Sequence, residues 1–490
     1  MKRINIYLLL ILFLTISACE KGLEPEVFNS ISPENFLKTE GDVKTAVTGI
    51  YYELRGGGWE RYTASWGGWL TQGIGCTDEW TTNWATDEQT EFLWRPESNF
   101  LSLFYTAMLP AITKATGLIK QLESAPVDPV LRERYTAELR TIRALIAFDL
   151  YDQYGPLPII VDPEYALNPA RAQSYKPSRP EKGWYVGFLE TELSEVQRVL
   201  PVSYENSADY GRMTKGTAMM VLLKLYMRER QWDKAAHTAQ QIMDLKFYAL
   251  QADYASIWSY SNQHNNELIF TIPSMATGGY GNNFLAETLP PDYVSHTNVP
   301  LTRWSGYRVP WAVWDRFEQN DKRRERLVRW YWNGAQMIDG RAANTHLKLG
   351  ALPMKYQENP NTDGTWDASE YVIYRYADVL LCRAEALNEI SGGPTQEAID
   401  LVNLLRSRAG VNPIRLSDFN QSSFRDRILQ ERQWELCTEG SRRQDLIRHG
   451  KLISDALARG KRFATDKDTL YPIPQSAINE NPNLKQNAGY

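Results

Sequence analysis

The side chains best suited to chemistry in this sequence are tryptophans, which are spread unevenly along its 490 residues. Of the 16 tryptophans, six lie between Trp59 and Trp94 and five lie between Trp304 and Trp332. An indole ring has a flat apolar face that packs against the C–H face of a sugar ring, while polar neighbours bond the hydroxyl groups. Both stretches are therefore interpreted as parts of a carbohydrate-binding surface. Burial in the core is the alternative for each single ring.

Polar side chains accompany the indole rings in both stretches. Carboxylate and amide groups flank the tryptophans of the first stretch, and Arg303 and Arg308 flank the aromatic rings of the second. The predicted ligand-binding residues are Asp78, Trp80, Asn83, Trp84, Trp304, Tyr307 and Trp311. Four further tryptophans occur in helical patterns and are predicted to lie in the core, namely Trp184, Trp232, Trp258 and Trp434.

Motifs of catalysis and of metal binding are missing from the sequence. The five histidines are scattered, and neither a zinc-type H-E-x-x-H, a G-x-S-x-G nucleophile turn nor a phosphate-binding loop occurs. Glu431 and Glu435 recur with basic residues at helical spacing, which is typical of an ion network on a helix face. The run Asn361–Asp367 lacks the full ligand spacing of a calcium loop and is interpreted as a polar turn. We therefore expect no cofactor and no metal ion, with a structural calcium ion at this run left open as an unsupported alternative.

The N-terminus has the pattern of an export signal. Lys2 and Arg3 precede the apolar run Ile4–Ile16, which is too short to span a bilayer as a permanent helix. The segment Ile16–Cys19 resembles the bacterial lipobox, in which the cysteine thiol is diacylated and the cysteine becomes the new N-terminus. We therefore predict that residues 1–18 are a cleaved signal peptide and that Cys19 is lipidated, and several acyl chains hold a protein firmly to a membrane.

Charge and cysteine content exclude two other classes of protein. The chain has 54 basic and 59 acidic residues, a formal charge of −5, and no block of lysine and arginine. A nucleic-acid-binding protein needs a basic surface, so this class is excluded. Apart from Cys19, the cysteines are Cys76, Cys382 and Cys437, an odd number that excludes a full disulfide framework. Cys382 and Cys437 lie in helical apolar patterns and are predicted to be buried, inert thiols.

Hydrophobic spacing predicts that most of the chain is helical. Asp42–Leu54 and Leu131–Tyr154 show apolar residues three and four apart, as on one face of a helix. Two later segments predict helix pairs of roughly tetratricopeptide length, with small alanines where the helices cross. The predicted pairs are Gly216–Arg230 with Asp233–Leu245, and Asp378–Ile390 with Thr395–Arg408.

The predicted fold is therefore mostly all-α, with tetratricopeptide-like helix pairs, long inserted loops and a few short β-strands. Residues 19–490 are predicted to form a single domain, interrupted by inserted regions at about 56–95 and 274–357. Long loops inside a helical body are usually functional. These two insertions contain the clustered tryptophans.

Several motifs, in a fixed order, resemble those of the SusD/RagB-like outer-membrane nutrient-binding lipoproteins of Bacteroidetes. Near the start, Asn35–Glu40 and Ala46–Tyr51 match the family opening, with Leu37 where tryptophan is commoner. The later motifs are Arg375–Leu381, Ala384–Glu389, Asn403–Gly410, Glu431–Leu446, Tyr471–Pro474 and Asn481–Tyr490. The similarity extends from Cys19 to Tyr490 and does not depend on one motif.

This resemblance implies a cell-surface protein without enzymatic activity, anchored to the outer membrane through Cys19. It would cap a TonB-dependent, SusC-like barrel transporter, capture an oligosaccharide and deliver it to the barrel. Ligand contacts vary within the family, so the predicted site residues rest on the tryptophan argument alone. The alternatives are peptide cargo in the same role, a lipid-anchored glycoside hydrolase, since paired carboxylates such as Asp78 and Glu79 are present, and a tetratricopeptide adaptor for protein tails.

Overall fold

Helices supply 51% of the structure and strands 7%, as the sequence predicts. A computed structural model describes residues 37–56, 60–62, 67–84, 87–295 and 297–490. Cys19 and the predicted signal peptide lie outside these residues, and so do Trp59 and Trp66. In the described part of the chain the helices are α1 Glu40–Arg55, α2 Trp69–Ile74, α3 Asp87–Thr90, α4 Asn99–Leu122, α5 Pro129–Tyr154, α6 Pro163–Ala166, α7 Pro169–Ser174, α8 Lys182–Val196, α9 Lys215–Arg228, α10 Trp232–Asp244, α11 Phe284–Thr288, α12 Trp311–Trp314, α13 Tyr376–Ile390, α14 Gln396–Ala409, α15 Gln421–Leu436, α16 Arg442–Arg448, α17 Leu452–Ala458 and α18 Gln475–Glu480.

The first helices begin and end at residues that favour those positions. The Thr39 side chain accepts a hydrogen bond from the Asp42 backbone, and Asp42 accepts one in return, so α1 starts with a capping box. Helix α5 starts with Asp128 as N-cap and Pro129 in its first turn, and it ends at Gly155, whose φ is 77°. Helices α4 and α5 pack side by side in the main core. The two predicted helices over Asp42–Leu54 and Leu131–Tyr154 are confirmed.

Both predicted helix pairs are confirmed. Helix α9 is joined to α10 by a tight turn in which Arg230 has a φ of 55°. Ala235, Ala236 and Ala239 are buried on α10, where their small side chains allow close packing against α9 and α13. Helix α14 packs against α13, begins at the Thr395 cap and ends at Gly410, whose φ is 75°.

The strands are short, and most of them lie in the second insertion. Their bounds are β1 Thr81–Thr82, β2 Leu268–Ile272, β3 Tyr307–Pro310, β4 Leu327–Val328, β5 Trp330–Trp332, β6 Met337–Asp339, β7 Gly350–Pro353 and β8 Tyr371–Arg375. One sheet has the order β1-β3-β7-β4, and β2 pairs with β8 while β5 pairs with β6. All of these pairs are antiparallel. The prediction of a few short strands is confirmed.

A buried ion network ties the second insertion to the helical body. The Arg323 guanidinium lies 2.7 Å from a Glu431 carboxylate oxygen and 3.2 Å from one of Glu435. Arg375 binds the other oxygen of Glu435 at 2.5 Å. Burial opposes ionisation of Glu435, but Arg408, Arg375 and Arg323 outweigh it and lower its pKa. Glu431 and Glu435 belong to a structural ion network, as predicted, but its basic partners come from other segments of the chain and not from the same helix face.

The cysteines and the tryptophans outside the clusters are partly as predicted. Cys76, Cys382 and Cys437 are buried and free, and burial raises the pKa of Cys382 to about 12. Trp258 and Trp434 are buried, and Trp232 packs against the core with part of its ring exposed. The prediction for Trp184 is wrong, because this ring is 48% exposed on α8, where it stacks on Phe188. None of the helices in the described part of the chain has the length and apolarity needed to cross a membrane.

Candidate functional site

Strand pairing brings the two tryptophan-rich stretches together. Thr81 pairs with Arg308 and Thr82 with Tyr307, so β1 and β3 run side by side although they are far apart in sequence. The Thr82 hydroxyl also donates to the Gly306 carbonyl at 2.7 Å. The residues that follow β1 therefore lie beside those that precede β3.

Asn83, Trp84, Arg303 and Trp304 form what we call the indole surface. Asn83 and Arg303 are exposed, whereas Trp84 and Trp304 are half-buried. The Trp84 ring lies directly over Gly306, where any Cβ atom would overlap it. This close approach requires glycine at position 306. It places the Trp84 ring over a residue that is only two positions after Trp304 in the sequence.

Backbone contacts hold the turn that precedes β3. The Trp304 amide donates to the Ala286 carbonyl at 2.7 Å, and the Gly306 amide donates to the Glu287 carbonyl at 2.6 Å. The Asn83 amide group faces the carbonyls of Ser305 and Gly306, to which its nitrogen donates at 2.6 and 3.0 Å when so oriented. The turn is therefore fixed by helix α11 on one side and by Asn83 on the other.

Further aromatic rings continue from the indole surface, namely the half-buried Trp366 and the exposed Tyr280 and Tyr52, and none of them is among the predicted binding residues. Thr302 donates its amide to Gly364 at 2.7 Å, and its hydroxyl lies 2.7 Å from that of Thr365. The next residue, Trp366, packs against Gly281, beside the exposed Tyr280. Tyr280 in turn lies 6.1 Å from the exposed ring of Tyr52 on α1. These rings come from three distant segments, which is why sequence clustering did not reveal them.

Two of the predicted binding residues, Trp80 and Tyr307, are buried, and that part of the prediction is wrong. Trp80 is 5% exposed and Tyr307 is fully buried. The two rings stack on each other with centroids 4.1 Å apart, and Phe284 packs edge-on against Tyr307. Their side chains turn towards the main core, so no ring face is left for a ligand.

Asp78 is also wrongly predicted as a binding residue, because it is buried in an ion pair. Its carboxylate accepts from the Arg442 guanidinium at 2.8 and 3.0 Å, from Gln433 at 2.8 Å and from Arg316 at 2.6 Å. Burial opposes ionisation, but the guanidinium of Arg442 outweighs it and holds the pKa of Asp78 well below its ordinary value. Asp78 therefore fixes the first insertion to α15 and α16.

Glu79 behaves oppositely to Asp78, its neighbour in the sequence. Its carboxylate accepts from the Thr438 amide at 3.0 Å, and burial raises its pKa to about 8. The carboxylates considered for glycoside hydrolysis thus both lie inside the protein, where they make structural contacts.

Trp311 lies at the other end of β3 in a separate group of rings and arginines. It is half-buried, and its Nε1 donates to the Leu347 carbonyl at 3.1 Å. The Arg341 guanidinium lies over Trp311 at 4.5 Å and over Trp314 at 5.1 Å, and Arg324 lies over the other indole, Trp314, at 4.6 Å. We call Trp311, Trp314, Arg324 and Arg341 the tryptophan–arginine cluster. Such stacking leaves guanidinium edges available for hydrogen bonds.

The hairpin β5–β6 adds an exposed indole that the predicted residues did not include. Trp330 is 50% exposed under the guanidinium of Arg329, 4.2 Å away, and Arg329 binds Asp339 across the hairpin. The spacing of Trp330 and Trp332, two residues apart in a short β-like run, could have indicated this, because alternate residues of a strand share one face. By contrast, Trp69 and Trp94 of the first stretch are buried.

The run Asn361–Asp367 forms a turn, as predicted. Asp363 accepts hydrogen bonds from the amides of Thr365 and Trp366 at 3.0 and 2.7 Å, which closes the turn without an ion. Among the described residues, no group of three histidine, cysteine or acidic side chains is arranged to hold a metal ion.

Comparisons with known proteins bear on the whole chain. The model of the SusD family matches residues 256–490. A SusD-like protein of Formosa agariphila is 25% identical over an alignment that covers 98% of both chains. The starch-binding protein SusD of Bacteroides thetaiotaomicron is 23% identical over 85% of this chain and 83% of its own.

A solved structure shares the fold. It is surface glycan-binding protein A of Bacteroides thetaiotaomicron in complex with laminarihexaose, which is 22% identical to this chain and has a TM-score of 0.72. The match covers 92% of this chain and all of the other. The family model over residues 256–490 and the relatives matched along most of the chain show that the chain is similar to the SusD family, and the solved structure shows that it has the same fold.

Proposed function

We propose that this protein captures an oligosaccharide at the indole surface and delivers it, unaltered, to a TonB-dependent, SusC-like outer-membrane transporter. The observation that carries the proposal is the pairing of β1 with β3. It joins Trp84 and Asn83 from the first insertion to Trp304 and Arg303 from the second. Neither insertion alone contains the whole surface.

The composition of the indole surface suits a sugar chain. Half-buried indoles offer apolar faces while they remain anchored, and the exposed Asn83 and Arg303 offer hydrogen-bonding groups at the same turn. The extension through Trp366, Tyr280 and Tyr52 adds aromatic rings from other segments to the surface. A starch-binding relative and a neighbour in complex with laminarihexaose support a glycan as the ligand.

In this proposal binding is capture and release, and no bond of the ligand is made or broken. Asp78 and Glu79 act inside the protein, where Arg442 and the Thr438 amide hold them. The lipid on Cys19 would keep the protein at the cell surface, and the transporter would receive the released oligosaccharide. Peptide cargo is the second candidate from the sequence, but stacked rings favour sugars over an extended backbone.

The test is electrophoresis of the full-length protein, solubilised in detergent, through gels that contain plant, algal, fungal or host polysaccharides. We expect retardation by at least one neutral or acidic polysaccharide and none by gels without polysaccharide. The same polysaccharide, incubated with the protein, should release no reducing ends. Failure of every polysaccharide to retard the protein, or release of reducing ends, would contradict the proposal.

A further inference from the structure

A cavity of about 320 Å³ lies in another part of the fold, and its lining residues differ from those of the indole surface. It is enclosed by residues 202–214, by β2, by Phe247 and Tyr248 after α10, and by His264 and Asn265. None of the residues of the indole surface or the tryptophan–arginine cluster lines it. Its volume lies at the lower end of the range of ligand pockets, roughly 300–1,000 Å³.

Aromatic rings in fixed positions make up much of the cavity wall. The Tyr204 hydroxyl lies within hydrogen-bonding distance of two acceptors, the Met213 carbonyl at 2.9 Å and Glu138 at 3.1 Å. Tyr248 packs so closely on Gly216 that a side chain there would overlap its hydroxyl. Phe247 lies edge-on to Tyr248, 5.1 Å between centroids, and is half-exposed. The rings are therefore held before any ligand arrives.

His264 enters the cavity wall in an unusual backbone conformation. Its φ is 64°, a left-handed value that is rare for residues other than glycine. Its amide donates to Glu370 at 2.8 Å, and the same buried carboxylate accepts from Thr271 at 2.8 Å and from Tyr210. Such strain persists where the surroundings impose it, and it is concentrated at functional sites.

This arrangement holds the imidazole of His264 against a neighbouring ring and leaves its nitrogens available to a ligand. The ring stacks on Tyr210 at an interplanar angle of 23° and is exposed to solvent. Within the described part of the chain, neither imidazole nitrogen takes part in a hydrogen bond.

The charges around the cavity disfavour an anionic ligand. Arg212, which lines it, is neutralised by Glu138 at 2.8 Å and by Asp209 at 2.9 Å. Glu205 is exposed and has no ion pair with any described residue. The exposed hydroxyls of Ser203 and Ser207, together with the imidazole, offer neutral donors and acceptors.

We propose that this cavity is a second carbohydrate site, which binds one uncharged pyranose ring. Its volume admits a single ring, its fixed aromatic side chains suit the C–H face, and His264 with the serine hydroxyls suits the hydroxyl groups. The proposal goes beyond the proposed function, since it requires neither the indole surface nor a transporter.

The proposal is tested with the methyl pyranosides of glucose, galactose and mannose. Each is titrated against the full-length protein, and binding is followed by saturation-transfer NMR. The protein is kept in lauryldimethylamine oxide, a detergent without a sugar headgroup. The first variant is His264→Gly, because glycine keeps the left-handed turn and removes only the imidazole. The second is Ser203→Trp, which fills the cavity from its exposed edge. The matched control is Ser422→Trp, at an exposed position on α15 outside the cavity.

We expect at least one methyl pyranoside to bind the parent, and the dissociation constant to rise at least fivefold in both His264→Gly and Ser203→Trp. Ser422→Trp should bind like the parent. Unchanged binding in both cavity variants, or no binding of any of the three probes to the parent, would overturn the proposal. Polysaccharide retardation in gels, measured on the same variants, should remain as in the parent, so failure of this site is distinguishable from failure of the indole surface.

Discussion

Trp80 and Trp84 flank the same short strand, yet they belong to different parts of the molecule. Trp80 precedes β1 and stacks on Tyr307 in the core, with 5% of its surface exposed. Trp84 follows β1 and lies half-buried over Gly306 at the indole surface. The comparison shows that membership of a tryptophan-rich stretch does not decide a ring's role. The role of each ring depends on whether it lies on the core side or on the solvent side of the sheet.

The largest difference between Trp80 and Trp84 should be in what each ring contributes to the stability of the fold. Trp80→Ala removes a buried ring and leaves a cavity beside Tyr307, so we expect a loss of about 4 kcal/mol in the free energy of unfolding. Urea unfolding followed by circular dichroism measures it. Trp330→Ala, at a half-exposed ring, is the matched control and should cost less than about 1 kcal/mol. Equal losses in the two variants would show that Trp80 is not a core residue.

The second effect should be on polysaccharide binding, and it should come from Trp84 and not from Trp80. Trp84→Ala and Trp304→Ala should each weaken binding of the polysaccharide that retards the parent protein in the gel. We expect a loss of about 2 kcal/mol, which is roughly a 30-fold rise in dissociation constant, because each indole serves as an anchoring aromatic residue. Affinity electrophoresis over a range of polysaccharide concentrations gives this value. Helical circular dichroism should remain that of the parent. Full binding by both variants would refute the indole surface as the site.

The third effect, measured as a change of stability per pH unit, should sharpen the contrast between the neighbours Asp78 and Glu79. Burial raises the pKa of Glu79 from 4.5 to about 8, so the folded protein keeps a proton that the unfolded chain releases. Stability is then complete below about pH 4.5 and falls as the pH rises towards 8, by up to about 1.4 kcal/mol per pH unit. Asp78, whose pKa is lowered, adds no slope in this range.

Glu79→Gln should remove that slope while its side-chain oxygen still accepts from the Thr438 amide. We expect the dependence of unfolding free energy on pH between 5.5 and 7.5 to become shallower by about 1 kcal/mol per unit. Asp149, whose pKa burial raises to about 7, supplies a slope that remains in the variant. Urea unfolding at three pH values measures both slopes. Identical slopes in parent and variant would mean that Glu79 is ionised in the fold.

The helical frame could be predicted because its signals are local. Apolar residues three and four apart, caps such as Thr39 and Thr395, and glycines such as Gly155 and Gly410 lie within or next to the helices that they define. The structural role of Glu431 and Glu435 could be predicted from the charge pattern of one helix, but their arginine partners on other segments could not. The predicted single domain over 19–490 and the lipidation of Cys19 stay predictions.

The candidate site was only partly predictable, because its geometry depends on distant segments. Trp84 and Trp80 have similar neighbours in sequence, and only the pairing of β1 with β3 distinguishes them. The sequence around Asp78 indicates an acceptor for ligand hydroxyls. In the fold, however, its carboxylate pairs with Arg442, which lies far along the chain. Tyr52, Tyr280 and Trp366 join the surface from three separate segments. Sequence clustering detects none of these contacts.

The pairing of β1 with β3 has a consequence for how the protein is made. The hydroxyl of Thr82 and its partner carbonyl are 224 positions apart in the chain. At ribosomal speeds of roughly 5–20 residues per second, more than ten seconds separate the synthesis of the two partners. A nascent chain that ends before Gly306 therefore has no completed ligand surface, however well its first helices have folded. Truncated products are expected to be helical but unable to hold a sugar at that turn.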